Sequence, residues 1–137
     1  MEIIKVKVYT DIPYNYTGIV EYPDGRICYY LNKYLHREVG PADIWSDGTT
    51  CYCLNGKYHR EDGPAVIQPD GTLHYFLKGK HHREDGPAII WDDGIVSYFI
   101  NAIHITREVK KWIKENNIPD YRVWNNSHKI LFKLVFG

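Results

Sequence analysis

Apolar and polar residues recur along this chain on a fixed beat. Asp-Gly pairs stand at 24–25, 47–48, 70–71 and 93–94, each 23 residues after the last. Ahead of each pair lies a short β-prone run, such as Ala65 to Gln68 or Ala88 to Trp91. Behind it lies another, such as Thr72 to Leu77 or Ile95 to Ile100. Asp-Gly between two such runs signals a hairpin. Read as the central pair of a type I′ turn, it sets Tyr22 across from Ile27 and Val20 across from Tyr29. The same offset pairs Trp45 with Thr50, Gln68 with Leu73 and Trp91 with Val96. This register collects Tyr29, Tyr52, Tyr75 and Tyr98 on one sheet face, together with Leu31, Leu54, Leu77 and Ile100. It places Ile44, Ile67 and Ile90 on the other face beside Cys28, Cys51, His74 and Ser97, with Tyr30, Cys53, Phe76 and Phe99 at the far end.

A second turn falls at Asn55-Gly56, with Asn32-Lys33, Lys78-Gly79 and Asn101-Ala102 in the same slot. Asn-Ala is the weakest of these, because Ala resists positive φ. His-Arg-Glu then recurs at 36–38, 59–61 and 82–84, and Gly-Pro at 40–41, 63–64 and 86–87. Proline there suits the first residue of a strand or an edge. Connections long enough for parallel crossovers are missing, so the expected topology is an antiparallel meander of hairpins, each too small to bury its own apolar face.

The fourth unit breaks off where the return segment should recur. Thr106 reads as an N-cap and Val109, Trp112 and Ile113 as the apolar stripe of a helix, ended by Asn116-Asn117 and Pro119. Ile130, Phe132, Leu134 and Phe136 alternate like a last strand, as Ile4, Val6 and Val8 do at the start. The expectation is a mainly β chain forming a single domain. It has an N-terminal capping strand segment over 1–17, about four β-hairpin repeats over 18–105, and a cap of one helix plus strands over 106–137. Terminal strands of this kind close sheet edges.

The stretches LNGKYHREDGPAVIQPDG (54–71) and LKGKHHREDGPAIIWDDG (77–94), with LNKYLHREVGPADIWSDG (31–48) as a looser copy, resemble the MORN repeat family. The closer likeness is to its variant arrays built of NGKxHREDGPA units. The likeness covers about residues 18 to 105. It implies hairpins in an elongated sheet and a scaffold or binding role, and variant arrays of this type point to a phage, giant-virus or bacterial setting.

Composition narrows the functional classes. Lys plus Arg equals Asp plus Glu at 17 each, so no broad field draws phosphate backbones or anionic membranes. The start alternates apolar and basic residues where a secretory signal has an unbroken apolar core, and no stretch is apolar for 18 residues. Three cysteines without paired spacing suit a reducing cytosol, and a cytoplasmic location is expected. His36, His59 and His82 share one repeat phase, as do Cys28, Cys51 and His74. Equivalent residues in successive hairpins stand two strands apart, about 10 Å, whereas zinc ligands lie about 2.0–2.3 Å from one ion. Neither column makes a metal site, no cofactor is implied, and no nucleophile elbow, P-loop or HExxH stands in the chain.

Aromatics are high at 15%, with 12 Tyr. Tyr29, Tyr52, Tyr75 and Tyr98, with Trp45 and Trp91, are candidate contacts for a partner, flanked by Arg37, Arg60 and Arg83. The expected function is non-catalytic binding of another protein, with self-association a further way to cover the apolar faces. The alternative is a module that sequesters a small ligand or nucleotide, stacking a base on the aromatic columns and holding phosphate with the repeated Arg.

Overall fold

The computed structural model describes residues 3–137. It is mainly β, with 16 short strands and two helices. Each Asp-Gly lies in a hairpin: β2 (Gly18–Glu21) with β3 (Ile27–Leu31), β5 (Asp43–Ile44) with β6 (Thr50–Cys51), β9 (Val66–Ile67) with β10 (Leu73–His74), and β13 (Ile89–Ile90) with β14 (Val96–Ser97). Neighbouring hairpins pair antiparallel in chain order, so these eight strands form one continuous meander.

The register differs by one residue from the type I′ expectation. Glu21 faces Ile27, Val20 faces Cys28, and Ile44 faces Thr50. The cause is the turn. Gly25, Gly48, Gly71 and Gly94 take φ of +93°, +96°, +96° and +86°, while none of the preceding Asp residues has positive φ. Each Gly N–H donates to the carbonyl three residues back, and the N–H of that earlier residue donates to the carbonyl just past the glycine. This is the three-residue hairpin loop, a type I turn followed by a left-handed glycine. The Asp side chain accepts from the N–H two residues on, at 2.8 Å in Asp47 and Asp70, which holds the loop.

A one-residue slip turns side chains to the opposite face. Cys28, Asp43, Cys51, Val66, His74, Ile89 and Ser97 line up on one side. Ile27, Ile44, Thr50, Ile67, Leu73, Ile90 and Val96 line up on the other. Ile44, Ile67 and Ile90 therefore do not stand beside Cys28 and Cys51.

The second turns close smaller hairpins. They join β3 to β4 (Tyr34–Leu35), β7 (Cys53–Leu54) to β8 (Lys57–Tyr58), β11 (Phe76–Leu77) to β12 (Lys80–His81), and β15 (Phe99–Ile100) to β16 (Ile103–His104). Here both central residues have positive φ: Asn55 and Gly56, Lys78 and Gly79, Asn101 and Ala102, Asn32 and Lys33. This is where the type I′ signature belongs. Ala102 takes φ +68° although its side chain disfavours it. Between the two hairpins of a unit the chain pivots at Tyr52, Tyr75 or Tyr98. Tyr52 donates its N–H to Ala65 at 2.7 Å and accepts from the His59 N–H at 2.9 Å.

Each end is closed differently. β1 (Ile3–Lys5) adds to β2 in parallel, and Val6, Ile12, Val20, Cys28 and Tyr30 form a buried cluster there. At the other end α1 (Thr106–Glu115), α2 (Asn126–Phe136) and the turn between them pack Val109, Phe132 and Trp124 over Tyr98. Thr106 is not the N-cap. It begins the helix, and its hydroxyl accepts the Tyr98 N–H at 2.9 Å.

The expected C-terminal strand is the helix α2. Asn125 caps it, its side-chain oxygen accepting the His128 N–H at 3.0 Å, while His128 Nδ1 accepts the Asn125 N–H at 3.1 Å. Leu131 and Val135 interrupt the apparent alternation, and only Phe132 and Phe136, four apart, turn into the cap.

Candidate binding surfaces

In the return segment of the third unit His82, Arg83, Glu84 and Asp85 each have a side-chain partner. The backbone N–H groups of Arg37, Arg60 and Arg83 donate to Cys53, Phe76 and Phe99 of the next unit. His36, His59 and His82 accept, through Nδ1, the N–H of Asn55, Lys78 and Asn101, each 19 residues on, at 2.9–3.0 Å. The histidine thereby ties down the first residue of the next unit's type I′ turn. Nδ1 must be unprotonated to accept, so Nε2 carries the proton, directed at Glu38, Glu61 or Glu84 at 3.6, 3.6 and 3.3 Å.

Arg37, Arg60 and Arg83 lie flat over Tyr29, Tyr52 and Tyr75, with the guanidinium carbon 3.9, 3.9 and 4.0 Å from the ring centre. Each donates from Nη1 to the carbonyl of its own Pro41, Pro64 or Pro87 at 3.1 Å. Arg60 and Arg83 also pair with Asp62 and Asp85 through Nε, at 3.1 and 2.8 Å. The recurrence of glycine at 40, 63 and 86 follows from this, since a side chain at Gly86 would meet the Arg83 guanidinium at 2.9 Å. Tyr98 has no such arginine, and Trp124 and Phe132 cover it instead, at 6.5 and 5.8 Å between ring centres.

The Tyr column and the three Arg are thus brought together, but as mutual packing. Glu38, Val39, Glu61 and Asp62 are among the side chains that edge presents to water. Clefts of about 640 and 530 Å³ lie between successive return loops, floored by Tyr52 and Leu54 and by Tyr75 and Leu77.

Trp45 and Trp91 are not part of that surface. Ile44 points to the Tyr side, so Trp45 points with Asp43 to the other. They sit at the rim of the sheet, 40% and 37% exposed. Trp45 is covered on one face by Arg26, at 3.8 Å.

Sequence inspection missed Arg26 altogether. It makes a two-pronged pair with Asp43, at 2.8 Å on both oxygens, and Asp43 is 2% exposed. Thr49 with Val66, and Thr72 with Ile89, occupy the equivalent positions in later units. The available signal was this exchange of an uncharged pair for an opposite-charge pair, 17 residues apart.

Cys28, Cys51 and Cys53 are buried and free. Loss of hydration pushes their thiols up to about 12, 11 and 12, aided by the Asp43 carboxylate, which disfavours a second negative charge nearby. They are protonated thiols at neutral pH and weak nucleophiles. Among the described residues no group of three or more His, Cys, Asp or Glu is placed to hold a metal ion, and no helix is long and apolar enough to cross a membrane.

Comparison of the chain with protein-family models, with curated proteins and with solved structures returns no match.

Proposed function

We propose that this chain is a non-catalytic, MORN-like repeat adaptor that binds another protein across the open side of its sheet. The observation that carries this reading is the strip of Ile27, Ile44, Ile67, Leu73 and Ile90. These side chains are aligned across four units and partly exposed, and they lie outside the buried clusters. A contiguous apolar strip bordered by charged loops is the anatomy of a protein interface, with a dry centre and a polar rim. The repeated guanidiniums favour this reading over phosphate capture, because stacking on Tyr and bonding to Pro carbonyls already occupy them.

The test is capture of a stoichiometric partner from the native lysate by wild type, by Ile67→Lys and by Trp91→Ala, alongside thermal shift against a nucleotide panel. The expected result is that Ile67→Lys folds and loses the partner while Trp91→Ala keeps it, with no nucleotide shift. A nucleotide shift without a partner would overturn the reading in favour of ligand sequestration.

A further inference from the structure

At three positions that meet in space, the third unit differs from the second at all three and from the fourth at two. Gln68, His74 and His81 stand where the second unit has Trp45, Cys51 and Tyr58, and where the fourth has Trp91, Ser97 and His104. The fold therefore does not require these residue types at these positions. His74 on β10 and His81 on β12 bring Nδ1 and Nε2 to 3.2 Å, and Gln68 Oε1 lies 3.3 Å from His74 Nε2.

We propose that His74 Nδ1 and His81 Nε2 form an open two-imidazole site for a borderline divalent cation, Zn²⁺ or Cu²⁺. Two nitrogens bound to one tetrahedral ion at about 2.0–2.1 Å stand about 3.3 Å apart, close to the present spacing; binding moves the His81 proton from Nε2 to Nδ1 and turns both lone pairs toward the ion. The Gln68 carbonyl acts as an outer-shell partner. By accepting from the His74 Nε2–H it fixes the tautomer whose Nδ1 lone pair points at His81. Imidazole nitrogen suits Zn²⁺ and Cu²⁺, with Cu²⁺ held more tightly.

The surroundings also fit. Phe76 lies 4.0 Å from the His81 ring centre and Phe99 5.2 Å, and both histidines are half-buried. Burial favours the neutral rings, the form that binds metal. Asp70 is the carboxylate whose charge is felt at His74. No third protein ligand joins them among the described residues, so water fills the remaining coordination positions. The site is of the exchangeable kind and contributes no obligatory folding energy.

The experiment titrates the full chain with ZnCl2, and separately CuCl2, following histidine ring signals by NMR for zinc and the unfolding midpoint for both. The expected result is that the His74 and His81 rings respond before the other five histidines, and that the midpoint rises with metal concentration. His74→Ser and His81→Tyr, residues borrowed from the fourth and second units, should leave the metal-free midpoint close to wild type and abolish the metal-dependent rise. A first response at any other histidine, or no response up to about 1 mM zinc, overturns the proposal. The wild-type ring titration decides the matter even if a variant folds poorly.

Discussion

The return-loop side and the cysteine-bearing face of the same sheet are built on opposite plans. On the loop side, His, Arg and Gly repeat in three units and make the same contacts each time: a histidine nitrogen on the next turn's N–H, and a guanidinium between a tyrosine ring and a proline carbonyl. On the other face almost nothing repeats. Asp43, Val66 and Ile89 are equivalent in position but not in chemistry, as are Cys28, Cys51, His74 and Ser97. Repetition marks what joins one unit to the next, because a repeat protein is stabilised through nearest-neighbour interfaces. Divergence marks what each unit does alone.

Arg26→Thr leaves Asp43 buried and unpaired and should cost about 3–5 kcal/mol, read from denaturant unfolding. Adding Asp43→Val, to complete the Thr49/Val66 arrangement of the next unit, should restore most of the loss. If the double variant is no better than the single, this face is less interchangeable than its divergence suggests.

Arg60→Ala removes the guanidinium from Tyr52 and from the Pro64 carbonyl and should cost about 2 kcal/mol. Arg60→Lys should fall between, since an ammonium keeps the charge but cannot stack as a plane. His59→Ala should cost about 1 kcal/mol and speed exchange of the Lys78 amide, while His59→Asn, whose oxygen can replace Nδ1, should retain most of the bond. The smallest effect belongs to the fourth unit, whose second turn lacks the glycine of its neighbours. Ala102→Gly should stabilise by about 0.5–1 kcal/mol by relieving the left-handed backbone, measurable as a shift in unfolding midpoint.

The period, the meander and the first helix were legible in the sequence because turn residues and apolar spacing recur without slippage. The register was not, and Pro23 and Pro69 were the overlooked signal. Proline just ahead of Asp-Gly fits the second position of a type I turn, which moves glycine outside the central pair. That one-residue error grouped Trp45 and Trp91 with the Tyr column. The last helix was misread because four apolar residues two apart fit a strand while Leu131 and Val135 between them were passed over; the decisive cue was Asn125 three residues ahead of His128. The Tyr and Arg residues were named together as candidate contacts from their repeat phase. That they stack on each other depends on a loop geometry which spacing alone does not encode.

The division of labour between repeated and divergent positions is tested most directly by thermal unfolding of two triple variants side by side. One is Gln68→Trp, His74→Cys, His81→Tyr, which gives the third unit the second unit's residues. The other is Arg37→Ala, Arg60→Ala, Arg83→Ala. The first should unfold within a few degrees of wild type, and the second should fall by on the order of 20 °C or fail to fold. The reverse order, or equal losses, would contradict the assignment of stability to what the units share and of individual chemistry to what they do not.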